Sequence, residues 1–314
     1  FNENQIRSSP TQTMKSTSNP SWLSNPRIRL EKSPDGLPIL KLTGGFGVAR
    51  FSPQGAHLMD FTPTGLRSLL FLSKKTTLTP GKAIRGGIPV IFPWFGARKG
   101  HPESPMHGLV RTRMWEIAEL EVPAEGPARV RMTFSSTAET LALWPHAFSL
   151  SVAFTLGTDL SVCWETRNTG DLPFVFEQAL HPYFPVANVE TASVHGLLGS
   201  GFIDKTDAMS VKTDMGQSVV FTGETDRVYL DTQATLTLRD PASCSEIVVE
   251  KTGSESSVVW NPWIEKAAAL SDLEDEDWQH FVCVEQANAG RNSVTLPAGG
   301  VHLFEANYGR RAIC

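Results

Sequence analysis

The chain has 314 residues and a formal net charge of −5, which excludes a broad basic face for nucleic acid or anionic lipid and confines any anion site to a local cluster. Its 40% apolar content, with 17 Phe and 8 Trp, supplies a sizeable core and excludes disorder over most of the length. No apolar run approaches the roughly 18 residues of a membrane span, and one large domain is expected, because all-β sandwiches run past the usual domain length as single units.

Residues 1–26 stand apart in composition: Ser8, Ser9, Ser16, Ser18, Ser21 and Ser24 are interleaved with Pro10, Pro20 and Pro26, and Glu3 is the one acid. A flexible leader is expected there, whether native, a remnant of organelle transit or a fusion scar before Met14, and residues 27–314 are expected to form a single β-sandwich domain. From Leu37 onward the dominant signal is period two. Strands are predicted at 37–42, 46–51 and 128–134, then in FSLSVAFTL, where Phe148, Leu150, Val152, Phe154 and Leu156 alternate with small or polar residues. Leu160, Val162 and Trp164 resume the alternation after Gly157-Thr158-Asp159, which makes a hairpin. Further runs at 174–181, 234–239, 245–251, 280–286 and 301–308 complete an all-β pattern of antiparallel sheets with a few short helices. A helix begins at Asn261-Pro262 and runs through WIEKAAAL, with Trp263, Ala267 and Leu270 on one stripe. The acidic run from Asp272 to Asp277 behind it lacks the spacing of a calcium loop and reads as a solvated turn.

Neither a metal nor an organic cofactor is expected. The histidines show no HxH or HxxxH spacing, and no GxxxxGK[ST], GxSxG or strand-GxGxxG-helix arrangement occurs. Cys163, Cys244, Cys283 and Cys314 are widely separated, without a CxxC pair, and read as reduced thiols of a cytosolic protein.

Four polar islands remain in aromatic surroundings. IRGGIPVIFPWFG, residues 84–96, stiffens Arg85 between glycines and prolines, as suits a loop that holds an anion. HGLVRTRMW sets His107, Arg111 and Arg113 before Trp115. EQALHPYF places Glu177 and His181 on one strand face, and FVCVEQANAG places Glu285 on a face with Cys283 and Phe281. A carboxylate on an apolar face loses solvation and becomes a stronger base, which makes Glu285 a candidate; a strand end in water is the alternative. His181 is either a functional imidazole or a hydrogen-bonded core histidine, stiffened by Pro182 and Tyr183.

In this order, AIRGGIPVIFPWFG, MHGLVRTRMW, WPHAFSL, ALHPYF, ETDRVY and VVWNPWIEKAAALSD…FVCVEQAN resemble the hexose-6-phosphate mutarotases, or glucose-6-phosphate 1-epimerases, of the aldose 1-epimerase superfamily, over about residues 37–308. The resemblance implies a galactose-mutarotase-type β-supersandwich that binds a sugar on the concave face of one large sheet. It implies interconversion of the α and β anomers of a hexose 6-phosphate, with His181 and Glu285 as the catalytic pair. Arg85 and Arg111 are then assigned to substrate and phosphate, Asp226 to sugar hydroxyls, and His107 to the site. Met106 stands where some members place a glutamine, and Pro182 replaces a Thr or Ser. Two other readings stay open: an epimerase of unphosphorylated aldoses, in which Arg85 only supports its loop, and a non-catalytic sugar-phosphate-binding sandwich. The expected partner is the small-molecule substrate alone, without nucleic acid or membrane, for a monomer in the cytoplasm or, if the leader targets it, an organelle.

Overall fold

A computed structural model of the protein describes residues 21–313. Among these residues two large antiparallel sheets form the frame. The nine-stranded sheet runs from Ser218–Val220 through Ser193–His195, Leu236–Asp240, Ser245–Thr252, Val301–Ala312, Leu160–Asn168, Phe148–Leu156 and Ala128–Ser135 to Glu116–Glu121. The eight-stranded sheet runs from Ser210–Thr213 through Gly201–Asp204, Thr225–Tyr229, Ser256–Asn261, Phe281–Asn288 and Gln178–Leu180 to Val90–Ile91, and Tyr183–Pro185 also pairs with Phe281–Asn288. A four-stranded sheet spans residues 28–63, and Phe174–Phe176 forms a small ribbon with Val294–Leu296. No helix of the described residues is long and apolar enough to cross a membrane.

The strand predicted at 148–156 has those bounds, with Phe148, Leu150, Val152, Phe154 and Leu156 buried on one face. Each such side chain contributes about 1.5–3 kcal/mol by leaving water. The hairpin into Leu160–Asn168 closes with Leu156 opposite Leu160. The core is continuous across sheets: Phe154 meets Phe51 of the four-stranded sheet edge-on at 5.1 Å, and Tyr308 of the nine-stranded sheet meets Phe184 of the eight-stranded one at 5.5 Å.

Polar side chains between the large sheets find one another. Tyr308 donates to Gln286 Oε1, Thr166 Oγ1 donates to Gln178 Oε1 at 3.1 Å, and Gln178 Nε2 donates to Asn288 Oδ1 at 3.1 Å. Gln286 and Asn288 therefore mark the face of Phe281–Asn288 that packs on the other sheet. Phe281, Cys283, Glu285 and Ala287 point the opposite way.

Several expectations change. The strand expected at 174–181 divides between the small ribbon and the eight-stranded sheet, with Glu177 at the break and His181 beyond Leu180. Glu177 and His181 thus share no strand face. The last part of the expected leader carries a 3-10 turn, Ser21–Ser24, with Trp22 against the core and Asn25 Nδ2 donating to Val122 O at 2.9 Å; residues 1–20 lie outside the described residues. Cys163 and Cys283 are free thiols, but Cys244 is disulfide-bonded, against the reading of four reduced thiols. The helix is Trp263–Ala269, with the side chain of Asn261 accepting from the N–H of Trp263 at 2.9 Å. The acidic run is no solvated turn throughout: Asp277 is buried and accepts from Ser73 Oγ at 3.0 Å, while Asp272 turns toward Arg85.

Candidate active site

Register builds the floor of the site. Asp226 pairs with Trp260, Trp260 with Cys283, and Cys283 with Tyr183 on its other side. Paired residues of antiparallel strands share a face, so these four form one row across the sheet, with Glu285 two residues beyond Cys283. This is the face turned away from the other large sheet. Every residue of Phe281–Asn288 is buried.

His181 reaches this floor from the segment between two short strands. Its N–H donates to Pro89 O at 3.1 Å, its ring lies nearly parallel to that of Tyr183 (centroids 5.0 Å apart, planes at 14°), and Trp260 stands edge-on to it at 5.8 Å. Its Nε2 lies 3.2 Å from Glu285 Oε1, and the two side chains are 10% and 2% exposed. The remaining polar atoms, His181 Nδ1 and Glu285 Oε2, are buried without a hydrogen-bond partner among the described residues. Burial, reinforced by the charge of Asp226 and opposed by Lys205, holds the Glu285 carboxyl well above its ordinary value. Burial, with His107, Arg85 and Arg111 nearby, holds His181 well below its own. Each group is pressed toward its uncharged form, which favours a single proton on the pair across the 3.2 Å contact.

The stiff loop has a visible purpose. Phe71 N–H donates to Tyr183 O at 2.8 Å, Tyr183 N–H to Gly87 O at 3.0 Å, and Gly87 N–H to Phe71 O at 2.7 Å, which laces the loop to the segment carrying His181. Gly86 has a φ of 112°, and a Cβ there would sit 2.5 Å from Phe71 O; at Gly87 (φ 63°) a Cβ would sit 2.3 Å from Leu58 O. Only glycine allows this approach. Behind the loop His57 Nε2 donates to Gly86 O at 2.9 Å, and burial takes its pKa down to about 4.

Arg85 is thereby aimed into the cavity, but it is not unpartnered. Its Nε donates to Asp272 Oδ1 and its Nη1 to the Tyr183 hydroxyl, both at 3.1 Å, while Nη2 makes no hydrogen bond among the described residues. Arg111 donates through Nη2 to Met106 O at 2.9 Å, and burial foremost, with Arg85 as a second positive charge, disfavours its cation. Two guanidinium groups opposed by one carboxylate leave this end of the cavity with an excess positive charge, which suits an anion.

His107 adopts a φ of 61° and accepts at Nδ1 from Gly96 N–H at 3.3 Å, which leaves its Nε2 as the protonated nitrogen. Burial first, then Arg111, Lys205 and Arg85, bring its pKa down to about 3, which favours its neutral form. Lys205 donates its N–H to Asp226 O at 2.9 Å, pairs its ammonium with Asp226 Oδ2 at 3.0 Å, and lies 5.6 Å from the centre of the Phe95 ring.

A cavity of about 430 Å³ brings together all six residues singled out in the sequence: Arg85, His107, Arg111, His181, Asp226 and Glu285. Sequence reasoning missed Lys205, Lys266, Tyr183, Trp260 and Asp272 on the same walls. Arg113 instead pairs with Glu139 away from the cavity, and Glu177 accepts from the N–H groups of Phe95 (2.8 Å) and Gly290 (2.7 Å), as a clasp between loops. Among the described residues no group of three or more metal-ligating side chains converges.

The profile of the aldose 1-epimerase family matches residues 38–309, and the chain belongs to that family. A protein of Cenchrus ciliaris is 35% identical over 286 residues, covering 88% of this chain and 86% of its own length. One of Escherichia coli K12 is 37% identical over 264 residues, covering 82% and 85%. Both are named, provisionally, as glucose-6-phosphate 1-epimerases. The crystal structure of a provisionally assigned mutarotase of Salmonella typhimurium matches with a TM-score of 0.83 at 28% identity, covering 92% of this chain and 95% of that one. The galactose 1-epimerase of Lactobacillus acidophilus matches with a TM-score of 0.70 at 11% identity, covering 91% and 98%, which shows the shared fold. The mutarotase-type antiparallel architecture expected from the sequence is the one found.

Proposed function

We propose that this protein interconverts the α and β anomers of an aldohexose 6-phosphate, with glucose 6-phosphate as substrate. The observation that carries this reading is the His181–Glu285 contact at 3.2 Å on the floor of a cavity that Arg85 and Arg111 also line. Ring opening moves two protons: one leaves O1 and one arrives at O5 as the C1–O5 bond breaks. Glu285 takes the first as base and His181, as imidazolium, supplies the second. In the open aldehyde the C1–C2 bond rotates, and reversal of both transfers closes the ring on the other face. Positioned acid and base groups each contribute about 10²–10⁴-fold. Asp226 and neutral His107 Nε2–H face sugar hydroxyls, and the arginines hold the phosphate. The provisional names of the relatives support this substrate, and family membership supports the reaction.

The test is anomer exchange of glucose 6-phosphate by magnetisation-transfer NMR; exchange at the spontaneous rate in the presence of protein refutes the reading. A second reading, exchange of unphosphorylated aldoses, draws on one observation: Asp272 and Tyr183 already occupy two of the three nitrogens of Arg85. The two readings part on the ratio of kcat/KM for glucose 6-phosphate to that for glucose. On the phosphate reading Arg85→Ala lowers this ratio by about 10- to 150-fold, the loss of charge-assisted bonds of about 1.5–3 kcal/mol. Arg85→Lys restores part of it, since an ammonium keeps the charge but not the planar fork. An unchanged ratio in Arg85→Ala selects the free aldose.

A further inference from the structure

We propose that the phosphate site is a switch for the acid as well as an anchor: an anion seated on Arg85 acts on His181 through the stacked ring of Tyr183, which is the positioning residue of the coupling. This rests on the reading of Arg85 and Arg111 as the phosphate site. The geometry is short and continuous. Arg85 Nη1 donates to the Tyr183 hydroxyl at 3.1 Å, and the Tyr183 ring lies against the His181 imidazole at 5.0 Å between centroids. An anion that takes the open Nη2 of Arg85 therefore shares one rigid guanidinium with the group stacked on the acid. Asp272 fixes that guanidinium from its other edge at Nε.

The charged and titratable groups that face His181 are few. Glu285 comes from the floor strand, Tyr183 from the strand that follows His181, Arg85 from the stiff loop, and His107 and Arg111 from the segment beside it. Trp260, which stands edge-on to the ring, carries no charge. Burial disfavours the imidazolium first, then His107, and the arginines add to that through their positive field. A phosphate dianion on the arginines cancels this field at His181, and the Tyr183 hydroxyl, by holding the Arg85 guanidinium beside the stacked imidazole, keeps that charge close enough to act. The proton that the pair already holds then moves from Glu285 to His181, which creates base and acid in one step and needs no further reactant. A sugar without phosphate meets the same pair with its proton on the wrong partner.

The coupling is tested by separating the anion from the sugar. Anomer exchange of glucose is measured with and without inorganic phosphate, and with sulfate as a dianion that transfers no proton near neutrality; buffer catalysis without enzyme is subtracted. Competition of inorganic phosphate against glucose 6-phosphate reports whether the anion is seated. We expect a saturable acceleration of about tenfold and a rise of the alkaline limb of the pH profile by about one unit, the effect of removing one nearby like charge. Arg85→Ala and Tyr183→Phe both diminish the acceleration. Tyr183→Phe keeps a ring to stack on His181, so a packing role alone leaves the acceleration intact in that variant. If phosphate competes yet neither accelerates exchange nor moves the limb, the coupling is overturned and the phosphate site stands. If phosphate does not compete, the site falls and the coupling with it. Acceleration retained in either variant overturns the route through these two residues.

Discussion

His181 and Glu285 are each an unfavourable choice for a protein interior, and their pairing explains why both are present. A lone ionised carboxylate on the floor strand costs several kcal/mol, and so does a lone imidazolium; together they can hold one proton between them at little net charge. Lys205 adds to the balance, since its ion pair with Asp226 offsets a second carboxylate in the same row. The pair acts as a unit, so His181→Asn and Glu285→Gln each lower kcat by at least about 10²-fold, and the double variant falls little further than either single one. Circular dichroism should show the fold retained. Wild-type exchange in either single variant, or a double variant that falls by the product of the two, shows the roles to be wrongly assigned.

Among the elements, the two βstrand-flanking loops owe their placement to Glu177. Its carboxylate accepts from Phe95 and Gly290 N–H, and its own N–H donates to Pro93 O at 2.9 Å, so it ties the Phe95 loop to the end of the floor strand. Glu177→Gln weakens charge-assisted bonds of about 1.5–3 kcal/mol and lowers Tm, while kcat falls less than in Glu285→Gln. The reverse ranking of kcat makes Glu177 the base. The same break in the chain shows what was legible in the sequence. Strands with one apolar and one wet face, such as Phe148–Leu156, announce themselves by alternation. Ser256–Asn261 is buried on both faces and carries two serines, so it gives no alternation and was missed, although it holds Trp260 in the site. Three-residue strands such as Gln178–Leu180 are too short for any period to separate them from their neighbours. Within the cavity, the six residues found by motif carry their own local signatures, whereas Asp272 and Lys205 join its walls through partners 187 residues away at Arg85 and on a neighbouring strand at Asp226. No local pattern encodes such a meeting.

For the whole molecule the site works against stability, with a sign that can be derived. In the unfolded chain Glu285 titrates near 4.3 and His181 near 6.5. In the folded protein burial raises the first and lowers the second, so the pair keeps one proton across this interval. Between about pH 4.3 and 6.5 the unfolded pair also holds one proton, and its contribution to stability is flat. Above about pH 6.5 the unfolded pair has released its proton while the folded pair retains it, so stability falls as pH rises toward the upper pKa of the pair. Below about pH 4.3 the unfolded pair holds two protons and the folded pair one, so stability falls again as pH drops. Glu285→Gln removes the upper step, because His181 alone is neutral in both states above about pH 6.5. The Tm of the variant should therefore rise relative to that of wild type as pH increases above about 6.5. The difference should change by at most about 1.4 kcal/mol per pH unit, or about 2 °C in Tm, as long as the folded pair retains its proton. Groups common to both proteins cancel in the difference, including Lys251, whose pKa burial draws down to about 7. Thermal melts of the two proteins at pH 6.5, 7.5 and 8.5 decide the matter: a variant-minus-wild-type Tm that rises with pH locates the retained proton on the His181–Glu285 pair, and a constant difference removes it from there.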